Sequence, residues 1–204
     1  MNILAVCHYG LYQDLDASFV HNLIREYAAL GHRVRVIVPI GIGKAGRNGG
    51  KLGPGLYPFE KDGVEICEVR YVTISRFGEK GFNAASAIAA IWLHRKKLLE
   101  DFTPDVIHIQ TLGFDSEIGV WLKKRYGCPL VCTTHGCDTV IPLERGDAEW
   151  LRQVCDRVDQ IIADSDQLRD RVKSCGTKTS ARTIHCGFIP RPAVPVARDP
   201  WAVV

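Results

Sequence analysis

Nearly unbroken apolar runs alternate with amphipathic stretches along most of the chain, and this alternation constrains the fold more than any single residue does. Val34, Val36, Ile37 and Val38 form one such run, and Val106, Ile107 and Ile109 form another. Runs this continuous suit parallel strands covered on both faces rather than half-exposed ones. Strands are expected at 2–7, 33–39, 64–72, 105–110, 129–134, 160–164 and 181–185. Helices are expected at 16–30, 83–101, 115–126, 146–158 and 166–175. In the first helix Phe19, Val20, Leu23, Ile24 and Tyr27 share one face, and Gly31 supplies a left-handed cap. Repeated strand–helix–strand units imply right-handed crossovers, so the expected fold is α/β, a doubly wound Rossmann-like parallel sheet.

Two segments break the rhythm. Residues 41–58 are rich in glycine and read as a long mobile loop. Residues 187–200 carry Pro190, Pro192, Pro195 and Pro200 and read as a semi-rigid linker, followed by the apolar Trp201-Ala202-Val203-Val204. The expected organisation is therefore a domain over 1–186, then over 187–204 a linker and the threshold of a second domain.

Composition narrows the partners. A net charge of +3 is too small to make nucleic acid the main partner. The basic runs His94-Arg95-Lys96-Lys97 and Lys123-Lys124-Arg125 fall late in expected helices, where cations complement the helix dipole. A weak contact with an anionic membrane surface is the lesser alternative. The eight cysteines contain no Cys-x-x-Cys, and Cys128-x3-Cys132-x4-Cys137 does not match zinc spacings, so free thiols and no metal are expected. No signal peptide or membrane span is expected, which places the chain in a reducing cytoplasm, with a peripheral position on the inner membrane face as the lesser alternative.

In an open α/β sheet, ligands bind beyond the carboxyl ends of the strands. The strand ending Val131-Cys132-Thr133-Thr134 stops at His135-Gly136-Cys137-Asp138, which brings an imidazole, a glycine and a carboxylate to that edge. His135 reads either as a catalytic group or as a satisfied structural histidine, with Asp138 close enough to orient or charge it. The first strand ends at His8-Tyr9-Gly10, where a polar substrate would dock or a loop would simply pack. Asp14, Asp16 and Ser18 read as capping groups. His108 faces opposite to Ile107 and Ile109 and reads as buried and hydrogen-bonded, while Gln110 and Thr111 end that strand and can line a cleft. Ser165 reads as a helix N-cap. Gly41-x-Gly43-x-x-Gly46 has the dinucleotide pattern, but Arg47-Asn48-Gly49-Gly50 and Pro54 follow instead of a helix, which argues against an NAD-dependent oxidoreductase.

Taken in order, these segments resemble the N-terminal lobe of GT-B glycosyltransferases of the family-4 type. The resemblance rests on the opening strand Met1–Val6 and on Leu30-Gly31-His32-Arg33-Val34-Arg35-Val36. Pro104-Asp105-Val106-Ile107-His108, and Pro129-Leu130-Val131 leading into Thr134-His135-Gly136-Cys137-Asp138, continue it. Asp159–Ser165 and Ile184-His185-Cys186-Gly187-Phe188-Ile189 complete it. The resemblance implies a retaining transferase of hexosyl type that uses a nucleotide-sugar donor and no other cofactor. It places His135 at the cleft floor, the loop of His8, Tyr9 and Gly10 near the diphosphate, and Asp138 and Ser165 on the neighbouring wall, with Gly136 letting backbone approach the ligand. It assigns the donor-binding motifs to a C-terminal lobe that this sequence does not match, so residues 1–204 alone would be inactive. The family often has a glycine pair in the first loop, whereas Tyr9-Gly10-Leu11-Tyr12 has one glycine. The competing reading is a stand-alone Rossmann-like module that binds a glycan or nucleotide without catalysis.

Overall fold

The computed structural model describes residues 1–8, 18–42, 53–74 and 81–187. In chain order the elements are β1 (Asn2–Val6), α1 (Ser18–Ala29), β2 (Arg33–Gly41), β3 (Gly55–Lys61), β4 (Val64–Tyr71), α2 (Phe82–Leu99) and β5 (Val106–Ile109). They continue with α3 (Phe114–Tyr126), β6 (Leu130–Thr134), α4 (Cys137–Glu144), α5 (Ala148–Cys155), β7 (Gln160–Ala163), α6 (Asp166–Ser174) and β8 (Ala181–Thr183).

All strands join one sheet in the order β3-β4-β2-β1-β5-β6-β7-β8. Every pairing is parallel except β3 with β4. The chain winds outward from β1 on one side, returns to β5 beside β1, and winds outward again. The switch point of the doubly wound sheet thus lies between β1 and β5, where Ile3 pairs with both Val34 and Val106.

Period-2 alternation sends strand side chains into two cores. Leu4, Val6, Ile107, Ile109, Leu130 and Cys132 pack on one face with Ile91 of α2 and Ile118 of α3. Ile3, Ala5, Cys7, Val36 and Val38 pack on the other with Val20 and Ile24 of α1. Burial on both faces is why the strands read as continuous apolar runs. Gly31 ends the α1 segment with φ +81°, as its expected cap role requires.

Two expectations need correction. The glycine-rich 41–58 segment is not all loop, because residues 55–58 belong to β3, which continues to Lys61. Pro58 tolerates this place because β3 is an antiparallel edge strand, where one backbone donor is dispensable. Helix α4 was also missed: it is only eight residues long and carries Pro142 in its interior. The fingerprint residues Gly43 and Gly46, the caps Asp14 and Asp16, and the linker beyond Gly187 lie outside the described residues.

No helix among the described residues is long and apolar enough to cross a membrane. The basic residues Lys96 and Lys97 sit in the last turn of α2, and Lys123–Arg125 in that of α3, where Lys123 pairs with Asp159 at 2.7 Å.

Helix α3 approaches the sheet through Gly119, where an added Cβ would meet Ile109 Cγ2 at 2.7 Å and Leu130 Cδ1 at 2.9 Å. Gly119→Val should therefore destabilise the fold by roughly 1–3 kcal/mol through overpacking. An unchanged melting temperature would show that α3 does not sit this close. All eight cysteines are free, with only Cys137 and Cys186 exposed. A thiol reagent should accordingly modify two cysteines rapidly in the native protein and the remainder only on unfolding.

Candidate functional site

The carboxyl ends of β1, β5, β6 and β7 converge at one edge, and two polar groupings stand there. The first lies at the switch point. His8, two residues past β1, places Nδ1 3.0 Å from Oδ1 of Asp115, and its backbone N–H donates to Oδ2 at 3.4 Å. Thr111 donates its hydroxyl to the same Oδ2 at 3.0 Å. Asp115 is fully buried in the first turn of α3, close to the helix N-terminus that favours a carboxylate. The His8 ring meets Phe114 edge-on at 5.7 Å, and Phe114 stacks on Tyr71 at 5.6 Å.

The second grouping is built around the end of β6. Gly136 adopts φ +106°, a turn that L side chains resist, and α4 begins at the next residue. Asp138 then lies in the first turn of α4 with its carboxylate directed back at the loops. Its Oδ1 accepts the Thr134 hydroxyl at 2.7 Å and the His135 backbone N–H at 3.3 Å. Its Oδ2 accepts the Leu112 N–H at 2.8 Å, which ties the end of β5 to the end of β6. Burial raises the Asp138 carboxyl above the usual range, while these hydrogen bonds and His135 pull against that.

The His135 ring faces other groups. Its Nε2 is 3.4 Å from Oε1 of Gln110, and its Nδ1 is 3.9 Å from Oδ2 of Asp164. Burial lowers the imidazole pKa, against the opposing fields of Asp138 and Asp164, which favours the neutral ring at pH 7. Gln110 is fully buried, and its amide Nε2 has no hydrogen-bond partner among the described residues.

A cavity of about 410 Å³ opens beside α1, over β5–β7, and reaches His135. Tyr27, His108, Thr133, Ile162 and Ile184 contribute to its walls. His108 lies 2.8 Å from the Thr133 hydroxyl and 3.1 Å from the Tyr27 hydroxyl, as its expected buried, hydrogen-bonded role requires. Burial, and to a lesser degree His135, push its pKa down to about 4.

The structure thus unites His135 with Gln110, and His8 with Thr111. It shows Ser165 as the N-cap of α6, accepting the Leu168 N–H at 3.3 Å. Tyr9 and Gly10 fall outside the described residues. Asp138 holds the backbone of His135 and its charge acts on the imidazole, as its expected closeness implies, while Asp164 and Gln110 stand nearest the ring nitrogens. The sequence reading missed Asp115 and the convergence of Asp164 and Cys186 on His135. The only local signal for Asp115 was its four-residue spacing from Thr111.

A family model described as Glycosyltransferase Family 4 matches residues 17–190. No curated protein sequence is significantly similar. Among solved structures, a sucrose-phosphate synthase fragment from Thermosynechococcus elongatus superposes with a TM-score of 0.60 at 14% identity, covering 92% of this chain and 90% of that one. HepE from Anabaena, in complex with UDP and glucose, gives 0.58 at 16% identity and covers 92% of this chain and 45% of that one. A UDP-N-acetylglucosamine 2-epimerase from Rickettsia bellii gives 0.53 at 13% identity, covering 89% of this chain and 44% of that one. At such identities the likeness is one of fold, and the chain spans about half the length of the latter two.

If Asp138 is the strut between the β5 and β6 loops, Asp138→Ala strands the Leu112 N–H and leaves the Thr134 hydroxyl with only Thr139 as a partner. The expected loss is roughly 2–4 kcal/mol in denaturant unfolding. A change within a few tenths of a kcal/mol would show that the loops hold without it.

Proposed function

Because the chain belongs to Glycosyltransferase Family 4, we propose that it forms the acceptor-side lobe of a hexosyltransferase that moves a sugar from a nucleotide-sugar donor to an acceptor with retention. The observation that carries this reading is the position of His135. It ends a buried parallel strand, stands at the margin of a cavity, and is held by its backbone while its ring faces Gln110 and Asp164. A neutral imidazole fixed in this way can hydrogen-bond a sugar hydroxyl without importing a charge.

In this reading the loop of His8, Tyr9 and Gly10 approaches the diphosphate, with His8 positioned by Asp115 and Thr111. Gly136 lets backbone come close to the donor, Asp138 fixes the loop, and Asp164 and Ser165 form the next wall. Catalysis is then mainly positioning, together with electrostatic stabilisation of the departing diphosphate. HepE, which carries UDP and glucose, supports a nucleotide-sugar donor. The donor-binding lobe lies outside the sequence described, so residues 1–204 alone should turn over no nucleotide sugar. A cytoplasmic setting belongs to this reading.

The fold is also found in a 2-epimerase, so the test must separate transfer from epimerisation. In the two-lobed protein, His135→Ala should lower kcat/KM for transfer by roughly tenfold or more, with little change in melting temperature. A large loss of stability with activity per folded molecule intact would make His135 a structural residue. Conversion of the nucleotide sugar to its 2-epimer without any acceptor would reject the transferase reading.

A further inference from the structure

Three metal-ligating side chains from separate segments meet at the edge of the sheet. His135 follows β6, Asp164 follows β7 and Cys186 follows β8, and one ligand atom from each lies within 4.8 Å of the others. We propose that His135, Asp164 and Cys186 form a binding site for a divalent cation of the zinc type.

The donor set is one imidazole nitrogen, one carboxylate oxygen and one thiolate. Imidazole and thiolate favour zinc or cobalt over magnesium or calcium, which prefer oxygen alone. Ligand bonds of about 2.0–2.3 Å in a tetrahedral site place ligand atoms roughly 3.3–3.7 Å apart. His135 Nδ1 and Asp164 Oδ2 are already 3.9 Å apart. Cys186 is exposed and Asp164 only half-buried, so small side-chain rotations can bring all three within bonding range.

The surroundings suit such a site as well. His135 Nε2 lies 3.4 Å from Gln110 Oε1. Donating its proton there selects the tautomer whose Nδ1 lone pair faces Asp164 and Cys186. Zinc-bound histidines are commonly oriented in this way by an acceptor on their other nitrogen. Three protein ligands leave a fourth position for water or another small donor, the pattern of open zinc sites. On binding, the thiol proton of Cys186 passes to solvent, and carboxylate and thiolate together neutralise the dication. No spacing motif announces the site, because its ligands are 29 and 22 residues apart (135 to 164 to 186) and only the sheet order assembles them.

Metal binding stands independently of the transferase reading. Its consequence rests on that reading: a cation on Nδ1 would hold the imidazole away from substrate, making zinc a reversible inhibitor of the two-lobed protein.

The test is a Co²⁺ titration of the reduced 204-residue chain, followed by absorption. A thiolate-to-cobalt charge-transfer band and intense tetrahedral visible bands should appear at one equivalent and be displaced by Zn²⁺. Cys186→Ser should abolish the charge-transfer band, and Asp164→Ala should weaken binding at least tenfold. Cys137→Ser, which removes the other exposed thiol, should leave the spectrum unchanged. Both altered ligands are surface-accessible, and unchanged melting curves of the metal-free variants will confirm that they fold. Absence of a thiolate band, its survival in Cys186→Ser, or its loss in Cys137→Ser would overturn the proposal. Zinc that binds this chain but leaves transfer by the two-lobed protein unaffected would retain the metal site and reject only its inhibitory consequence.

Discussion

The polar groups of this protein are arranged by one constraint: a parallel sheet buried on both faces has no room for unsatisfied polar side chains along its length. Leu4, Ala5 and Val6 at its centre are fully buried, and the two cores press on opposite faces. A polar side chain within the sheet must therefore bring its own partners. His108 does so with Thr133 and Tyr27, and burial, which holds its pKa down to about 4, favours the neutral ring at pH 7. Arg35 within β2 pairs with Glu65 and Asp101, and Arg70 within β4 with Glu68, while His8, Asp115, His135, Asp138 and Asp164 stand beyond the strand ends. Because the strands run parallel, their carboxyl ends share one edge, and the reversal of winding between β1 and β5 leaves a crevice there.

Within that edge, holding and presenting are divided between different carboxylates. Asp115 and Asp138 turn inward and accept hydrogen bonds from neighbouring loops, the first from His8 and Thr111, the second from Leu112, Thr134 and His135. Asp164 stays partly exposed and faces the His135 ring at 3.9 Å. Residues that anchor loops thus differ from those that can meet a ligand, even where they are three positions apart in sequence.

Much of the fold was legible because burial on both faces leaves a strong local trace. The runs around Val36 and Ile107, and the cap at Gly31, located β2, β5 and the end of α1. β3 was obscured because an edge strand needs neither a continuous apolar face nor a full set of backbone donors, so Gly55 and Pro58 are tolerated within it. α4 was hidden by Pro142, and that omission spread to the site. The closeness of Asp138 to His135 was readable, but without a helix starting at Cys137 the ties of its carboxylate to Leu112 and Thr134 were not. His135, Gln110 and Thr111 were readable as strand-end residues. The meeting of Asp164 and Cys186 with His135 was not, since it depends on strand order and leaves no periodic signal.

The central claim is that His135 stands where a donor sugar is held. A structure of the two-lobed protein with an unreactive nucleotide-sugar analogue tests it most directly. The account predicts a His135 ring nitrogen within about 3.2 Å of a sugar oxygen, with Asp138 still bonded to Leu112 and Thr134. A sugar bound away from β6, with the His135 ring still facing only Gln110 and Asp164, would contradict it.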